Sequence, residues 1–292
     1  MSNFTNSPTM KLKARAVQPG LKRLPNIKNI IAVASTKGGV GKSTTAFNLA
    51  VCFQKLGLRT GLLDADVYGP SVPRLVGTEG QQPRAVDREH VQPIMAHGLQ
   101  TMSIGYLLND PKTPMVWRGP IVIKALQQLL HQTLWDDLDV LVIDLPPGTG
   151  DVQLTMAQKI PVSGAVMITT PQELALQDVR KGIVMFEKVK VPILGVIENM
   201  SYHRCTACGH EEHIFGQGGG RMIAQAFDLP LLGELPLDAR VQNNADSGQP
   251  VVTSDDSALT KSYMTVANEV LGALNARARD WSGMFNVEVL GK

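Results

Sequence analysis

The first 63 residues contain no aspartate or glutamate, although they carry ten of the 28 Lys and Arg residues of this 292-residue chain. The remainder holds 18 basic and 26 acidic residues, so a formal net charge of +2 conceals a +10 segment followed by a −8 one. No run of 18 apolar residues occurs, and no apolar stretch follows the first basic residues, so neither a membrane-spanning helix nor a secretory signal is expected. Cysteine is scarce: Cys52, Cys205 and Cys208 are too few and too unevenly spaced for a disulfide framework. In a chain expected to be intracellular, a Cys-x-x-Cys pair points instead to metal or redox chemistry. Internal repeats and low-complexity tracts are also absent, and a composition with 43% hydrophobic residues is that of an ordinary globular chain.

Residues 1–28 combine Pro8, Pro19 and Pro25 with six Lys or Arg and no sustained apolar period, which predicts a mobile basic arm. From Asn29 onward, short apolar runs alternate with helix-length segments. The runs are Ile30 to Ala34, Thr60 to Leu63, Val140 to Ile143, Ala165 to Thr169 and Ile193 to Ile197. Each is almost continuously apolar, as a strand covered on both faces must be. The fold class is therefore α/β, a mostly parallel sheet with helices on both faces, formed by one domain over residues 29–276. Residues 77–98 read as an irregular or hairpin insertion, 257–276 as a helix, and 277–292 as a tail in which Phe285, Val287 and Val289 alternate like a strand.

The first run leads into Lys37-Gly38-Gly39-Val40-Gly41-Lys42-Ser43-Thr44, and a helical segment follows it. This is the strand–loop–helix setting of a phosphate-binding P-loop, here cradling ATP. Its glycines let successive N–H groups turn toward an anion, and the helix adds its positive end. Lys42 supplies charge to the β- and γ-phosphates, and the Ser43 hydroxyl is a ligand for Mg²⁺. Lys37 stands where ordinary P-loops need no lysine. The loop resembles the deviant form found in dimeric ATPases such as nitrogenase iron protein and the septum- and chromosome-positioning ATPases. That resemblance implies that Lys37 reaches across a homodimer interface to the partner's nucleotide.

Carboxylates stand at the ends of two of the runs, where open parallel sheets carry their ligand groups. Asp144 is expected to hold Mg²⁺ or its waters, Asp66 to orient the attacking water, and Asp64 to support the metal shell, with a capping or turn role as the alternative for any one of them. Gly69 and Gly148 supply freedom for segments that respond to the γ-phosphate.

Cys205-Thr206-Ala207-Cys208 places two thiols on one tight turn of a metal loop over residues 201–216. A zinc or iron–sulfur site needs four ligands, and Cys52 falls within the helix after the P-loop, where a small buried hydrophobe is expected. Two copies of the chain supply four thiolates. The residues leave open a shared [4Fe–4S] cluster, a zinc ion and a reducible thiol pair, with His210 and His213 as further zinc ligands within one chain.

Together these motifs resemble the Mrp/ApbC family of iron–sulfur cluster carrier ATPases, whose mitochondrial members serve complex I assembly. The likeness runs from about Asn29 to about Ser254 and also takes in Met115-Val116-Trp117-Arg118-Gly119, Glu198-Asn199-Met200-Ser201, Ile214-Phe215-Gly216 and Gly248-Gln249-Pro250. It implies a homodimer that binds ATP and Mg²⁺, hydrolyses ATP slowly, and holds a labile [4Fe–4S] cluster on Cys205 and Cys208 of both chains for transfer to apoproteins. It further implies that Asn199 reads the adenine edge and that Pro236 and Asp238 flank the base. Thr36 departs from the glycine usual before Lys37, a change expected to be tolerated.

A positioning ATPase acting on membrane or DNA is the competing class, but it needs an amphipathic C-terminal helix or a basic dimer face. The tail from Trp281 is broken by Gly283 and alternates like a strand, so neither membrane nor nucleic acid is an expected partner. A static nucleotide-binding scaffold is a third class, disfavoured because it does not need Lys37, Asp66 and Asp144 together. A cytoplasmic location is favoured over the mitochondrial matrix, because no charge precedes Lys11 and prolines interrupt any long amphipathic helix.

Overall fold

A computed structural model describes residues 12–107, 119–252 and 257–280. Residues 1–11, the Met115-Val116-Trp117-Arg118 motif and the alternation of Phe285, Val287 and Val289 lie outside them.

An eight-stranded sheet forms the centre. In chain order its strands are β1 (Ile30–Ala34), β2 (Thr60–Asp64), β3 (Ile94–Ala96), β4 (Leu99–Ser103), β5 (Val140–Asp144), β6 (Gly164–Thr169), β7 (Ile193–Glu198) and, after the small hairpin β8 (His203–Arg204) and β9 (Glu211–Glu212), β10 (Leu231–Glu234). The spatial order is β10-β7-β6-β1-β5-β2-β4-β3, and every pairing is parallel except β3 with β4. The five predicted strands are all present. The segment 77–98 ends in the β3–β4 hairpin, so its last residues extend the sheet.

Alternation along β1 explains the two layers. Ile31 and Val33 face a core shared with α1 (Lys42–Lys55), α2 (Val72–Leu75) and α8 (Ala258–Ala276), while Ile30, Ala32 and Ala34 face α3 (Gly119–Gln132), α4 (Asp151–Lys159), α5 (Glu173–Lys188) and α6 (Gly219–Ala226). A strand buried on both sides has no room for polar residues, hence the near-continuous apolar runs. Helix α5 shows the complementary pattern: Ala175, Leu176, Val179, Ile183 and Phe186 recur every three or four residues and are buried. Helix α8 starts at Ser257, whose hydroxyl accepts from Thr260 N, and buries Leu259, Tyr263, Val266, Val270 and Leu274. Helix α7 (Ala239–Asp246) is capped by Asp238.

The described part of the predicted arm is packed onto the domain, which corrects the mobile reading for residues 12–28. Leu12 and Ile27 are buried, and Gln18 is 5% exposed. The Gln18 amide donates to Ala157 O and Ile160 O and accepts from Val162 N, satisfying backbone groups at the end of α4. Arg15 N donates to Asn29 Oδ1, and Arg23 pairs with Asp280, so the start of the tail is tied to the same strap. Scattered prolines and charges hid this because the anchoring residues are isolated polar side chains without a period.

Candidate nucleotide site and cysteine loop

Strand β1 ends where its carbonyls stop pairing, and the chain turns through Gly39 and Gly41, both at φ 79°. Such left-handed turns favour glycine. Gly38 and Gly39 are exposed with open space above them, and Gly41 caps α1, whose first turn carries no acid. A ring of N–H donors at a positive helix end therefore faces solvent, which suits phosphate. Val40 is buried and anchors the loop from below, while Ser43 and Thr44 are half-buried.

Lys42 is buried at 6% exposure and donates to Asp144 Oδ1 at 2.5 Å, with Ser43 Oγ 3.3 Å from its ammonium. Asp144 is fully buried, and its other oxygen, Oδ2, has no hydrogen-bond partner among the described residues. An orphaned carboxylate oxygen beside a serine hydroxyl and a phosphate cradle fits a Mg²⁺ position, because the missing partner is a cation or its water. Strand register places Asp64 directly across from Asp144.

Asp64 itself corrects an expectation. Its Oδ1 accepts from Asp66 N, and its Oδ2 accepts from Ser71 N, Val72 N and Ser103 Oγ. Both oxygens are taken by the protein, so the residue braces the Asp66 loop and α2 and does not face a metal shell. Burial and the neighbouring Asp144 raise its carboxyl above the usual range, against the N–H donors and Lys42, which lower it. Asp66 is half-buried at the same strand end. Burial raises it, Lys42 lowers it, Asp144 raises it, and the N–H groups of Gly69 and Tyr68 favour the carboxylate. Gly148 N donates to Ser35 O, which brings the Gly148 turn against the base of the P-loop.

Lys37 is half-buried, and among the described residues no acidic group pairs with its ammonium. The Thr36 methyl beside it lies where a Cβ on Gly182 of α5 would collide with it, so the missing side chain on α5 makes room for the extra one.

Asn199 follows β7 and is 7% exposed. Its Nδ2 donates one of its two N–H groups to Val40 O at 2.8 Å, which fixes the amide against the P-loop. A Cβ on Gly41 would strike the same amide. Pro236 is buried, and Asp238 is occupied in capping α7 through Arg240 N and in pairing with the Arg240 guanidinium.

Cys205 and Cys208 are free thiols at the tip of the β8–β9 hairpin, Cys208 exposed and Cys205 partly so. Cys205 N donates to His210 O and Gly209 N to Cys205 O, closing a tight turn. The N–H groups of Cys208 and Ala207, with the Cys208 thiol, hold the Cys205 thiol below the usual range, which favours the thiolate that metals bind. Among the described residues no three His, Cys, Asp or Glu side chains are grouped to hold a metal. His213 Nδ1 instead donates to Ser201 O. Cys52 is buried in α1, and desolvation pushes its thiol up to about 12.

Sequence reasoning passed over Glu198 and Ser201 as individual residues. Glu198 is fully buried, accepting from Ser201 Oγ and from Gly220 N at the start of α6. The signal was present: an acid ending an apolar strand, as Asp144 does.

A parallel sheet with a glycine-rich anion cradle after its first strand, a lysine–aspartate pair beneath it and carboxylates at neighbouring strand ends defines a P-loop nucleotide-binding protein, here with an exposed Cys-x-x-Cys hairpin. The model of the NUBPL iron-transfer P-loop NTPase family matches residues 26–271, and the chain belongs to that family. It is 54% identical over 264 residues to the iron-sulfur cluster carrier protein of Escherichia coli (strain K12), covering 90% of this chain and 70% of that one. It is 46% identical over 261 residues to the iron-sulfur cluster transfer protein NUBPL of Mus musculus, covering 88% and 81%. Among solved structures, a nucleotide-binding protein from Archaeoglobus fulgidus in complex with ADP shares 40% identity, with a TM-score of 0.69 over 78% of this chain and 89% of that one. The cell division ATPase MinD of Pyrococcus furiosus shares the fold at 22% identity and TM-score 0.60, covering 83% and 98%.

Proposed function

We propose that this protein is an ATP-hydrolysing carrier that builds a labile [4Fe–4S] cluster between two copies of the chain and passes it to apoproteins. The observation that carries the reading is the Cys205–Cys208 turn: two accessible thiols, one biased toward thiolate, on a chain whose described residues offer them no further ligand. Two copies complete a four-thiolate site for the cluster as cargo. The printed names of the E. coli and mouse relatives agree with this cargo.

The P-loop from Gly38 to Thr44 binds the phosphates through its N–H groups, and Lys42 neutralises their charge. Ser43 and Asp144 would hold Mg²⁺ directly or through water, and the ion would supply charge neutralisation for the phosphate oxygens. Asp66 orients a water whose oxygen attacks the γ-phosphorus as the bond to the β–γ bridging oxygen breaks, releasing ADP and phosphate. Lys37 of each copy stabilises charge on the other copy's phosphoryl group. Exposed apolar side chains at the carboxyl ends of the strands support a face-to-face homodimer, among them Tyr68, Leu174 and Ile214. Among the described residues no helix is long and apolar enough to cross a membrane, and we assign the protein to the cytoplasm. The positioning-ATPase alternative has only the shared fold in its favour.

Anaerobic reconstitution with iron and sulfide tests the reading. The wild type is expected to turn brown with a metal content of one [4Fe–4S] cluster per two chains, and the Cys205→Ala/Cys208→Ala variant to stay colourless. Equal cluster content in that variant, or exclusive zinc binding, would overturn it.

A further inference from the structure

We infer that Asn199 and Ser201 are positioning residues that make the geometry of the cysteine hairpin depend on the P-loop, a coupling that rests on the reading of both sites as parts of one carrier. The two sites share one short piece of backbone. Asn199 grips the P-loop through Val40 O, and its own N–H donates to Thr169 O at the end of β6. Met200 follows at φ 56°, a left-handed conformation that a non-glycine residue rarely adopts, between two pinned neighbours. Ser201 is 1% exposed; its N–H donates to Leu235 O, its hydroxyl to Glu198 Oε1 at 2.6 Å, and its carbonyl accepts from His213 Nδ1 at 2.8 Å.

Those contacts brace the base of the metal loop. Glu198 binds Ser201 where the loop leaves the sheet and Gly220 where α6 resumes it, and a Cβ on Gly220 would lie 2.8 Å from the Glu198 Cβ. His213 ties the returning arm of the hairpin to Ser201, and Tyr202 O accepts from Leu237 N alongside it. Two hydrogen bonds, Asn199 to Val40 and His213 to Ser201, joined by the backbone of residues 199–201, therefore run from the phosphate cradle to the returning arm of the cysteine hairpin. A displacement of Val40 strains the Asn199 bond, and the rigid attachment of Ser201 passes that strain to the hairpin base. Flexible linkage at any of these points would absorb it, which is why the bracing matters.

The test uses the metal-free, reduced full chain and reads alkylation of Cys205 and Cys208 by iodoacetamide, with peptide mass spectrometry separating them from buried Cys52. Saturating Mg²⁺ and a non-hydrolysable ATP analogue are expected to change the rate at both thiols by about threefold or more in the wild type, the size that one hydrogen bond's net worth permits. In Ser201→Ala and in the milder His213→Ala, nucleotide affinity is expected to stay within about twofold, because neither residue touches the cradle, while the rate change shrinks to under about 1.5-fold. Asn199→Ala, compared at its own nucleotide saturation, should lose the change as well. No nucleotide effect in the wild type, or a full effect surviving in His213→Ala, would overturn the inference. Cluster reconstitution on unalkylated portions of the same proteins keeps the two ideas apart: coupling without a cluster refutes the carrier, and a cluster without coupling refutes the relay.

Discussion

Replacing Lys42 by methionine should cost the protein much of its stability at neutral pH, quite apart from any loss of nucleotide binding. The ammonium is the cation paired with Asp144, which is fully buried and, among the described residues, has no partner for its second oxygen. Asp64 lies across the strand register from Asp144 and is already raised by burial and by that neighbour, with Lys42 lowering it. Removing one member of a buried pair typically costs about 3–5 kcal/mol, because the remaining charge has neither water nor counterion. For a chain of this size that corresponds to a fall in Tm of roughly 5–8 °C. The pH dependence has a definite sign. A carboxyl whose folded-state pKa is raised binds more protons folded than unfolded, so stability falls as pH rises from the ordinary value near 4 through the raised one. Lys42→Met pushes Asp64 higher still, so its deficit should be largest near pH 8 and shrink near about pH 5.5. Urea unfolding followed by circular dichroism at both pH values measures this, and Lys42→Met/Asp144→Leu should recover most of the loss by removing the stranded charge. A single-variant loss below about 1 kcal/mol near pH 8, or an equal loss at both pH values, would refute the argument.

Gly182→Ala should destabilise by about 1–3 kcal/mol through its clash with Thr36, and Thr36→Gly should rescue it; additive effects in a thermal double-mutant cycle would show that the two do not touch. Gln18→Ala removes three hydrogen bonds and leaves the Val162 N–H buried, so urea titration should show a loss of about 2–3 kcal/mol, whereas a free arm would give none. Lys37→Ala should lower phosphate release by on the order of 100-fold while nucleotide affinity, measured by calorimetry, changes little; undiminished turnover would remove the lysine from the reaction.

Features that depend on local pattern were legible in the sequence. The five double-sided strands, the glycine cradle and α8 follow from composition and spacing, because burial on both faces and left-handed turns restrict which residues fit. Strands β4 and β10 were missed because they mix Gln100, Thr101 and Gly233 with apolar residues, and β3, inside the expected insertion, is an apolar run of only three residues. Side-chain direction was the harder limit. Asp64 and Asp144 look equivalent as acids ending apolar strands, yet four donors brought by Asp66, Ser71, Val72 and Ser103 claim Asp64, while Asp144 keeps an open oxygen. Gln18, Glu198 and Ser201 act through partners distant in the chain or across a loop, and no spacing rule announces such contacts. Thr36 likewise makes sense only beside Gly182.

The central claim is that the cysteine hairpin carries a cluster under the control of the nucleotide site, and cluster transfer tests it most directly. Wild-type protein reconstituted anaerobically should activate an apo iron–sulfur enzyme in the presence of a metal chelator, at a rate that changes when Mg²⁺ and ATP are added. Transfer that is abolished by the chelator, or that ATP leaves unaltered at saturating concentration, would contradict the account.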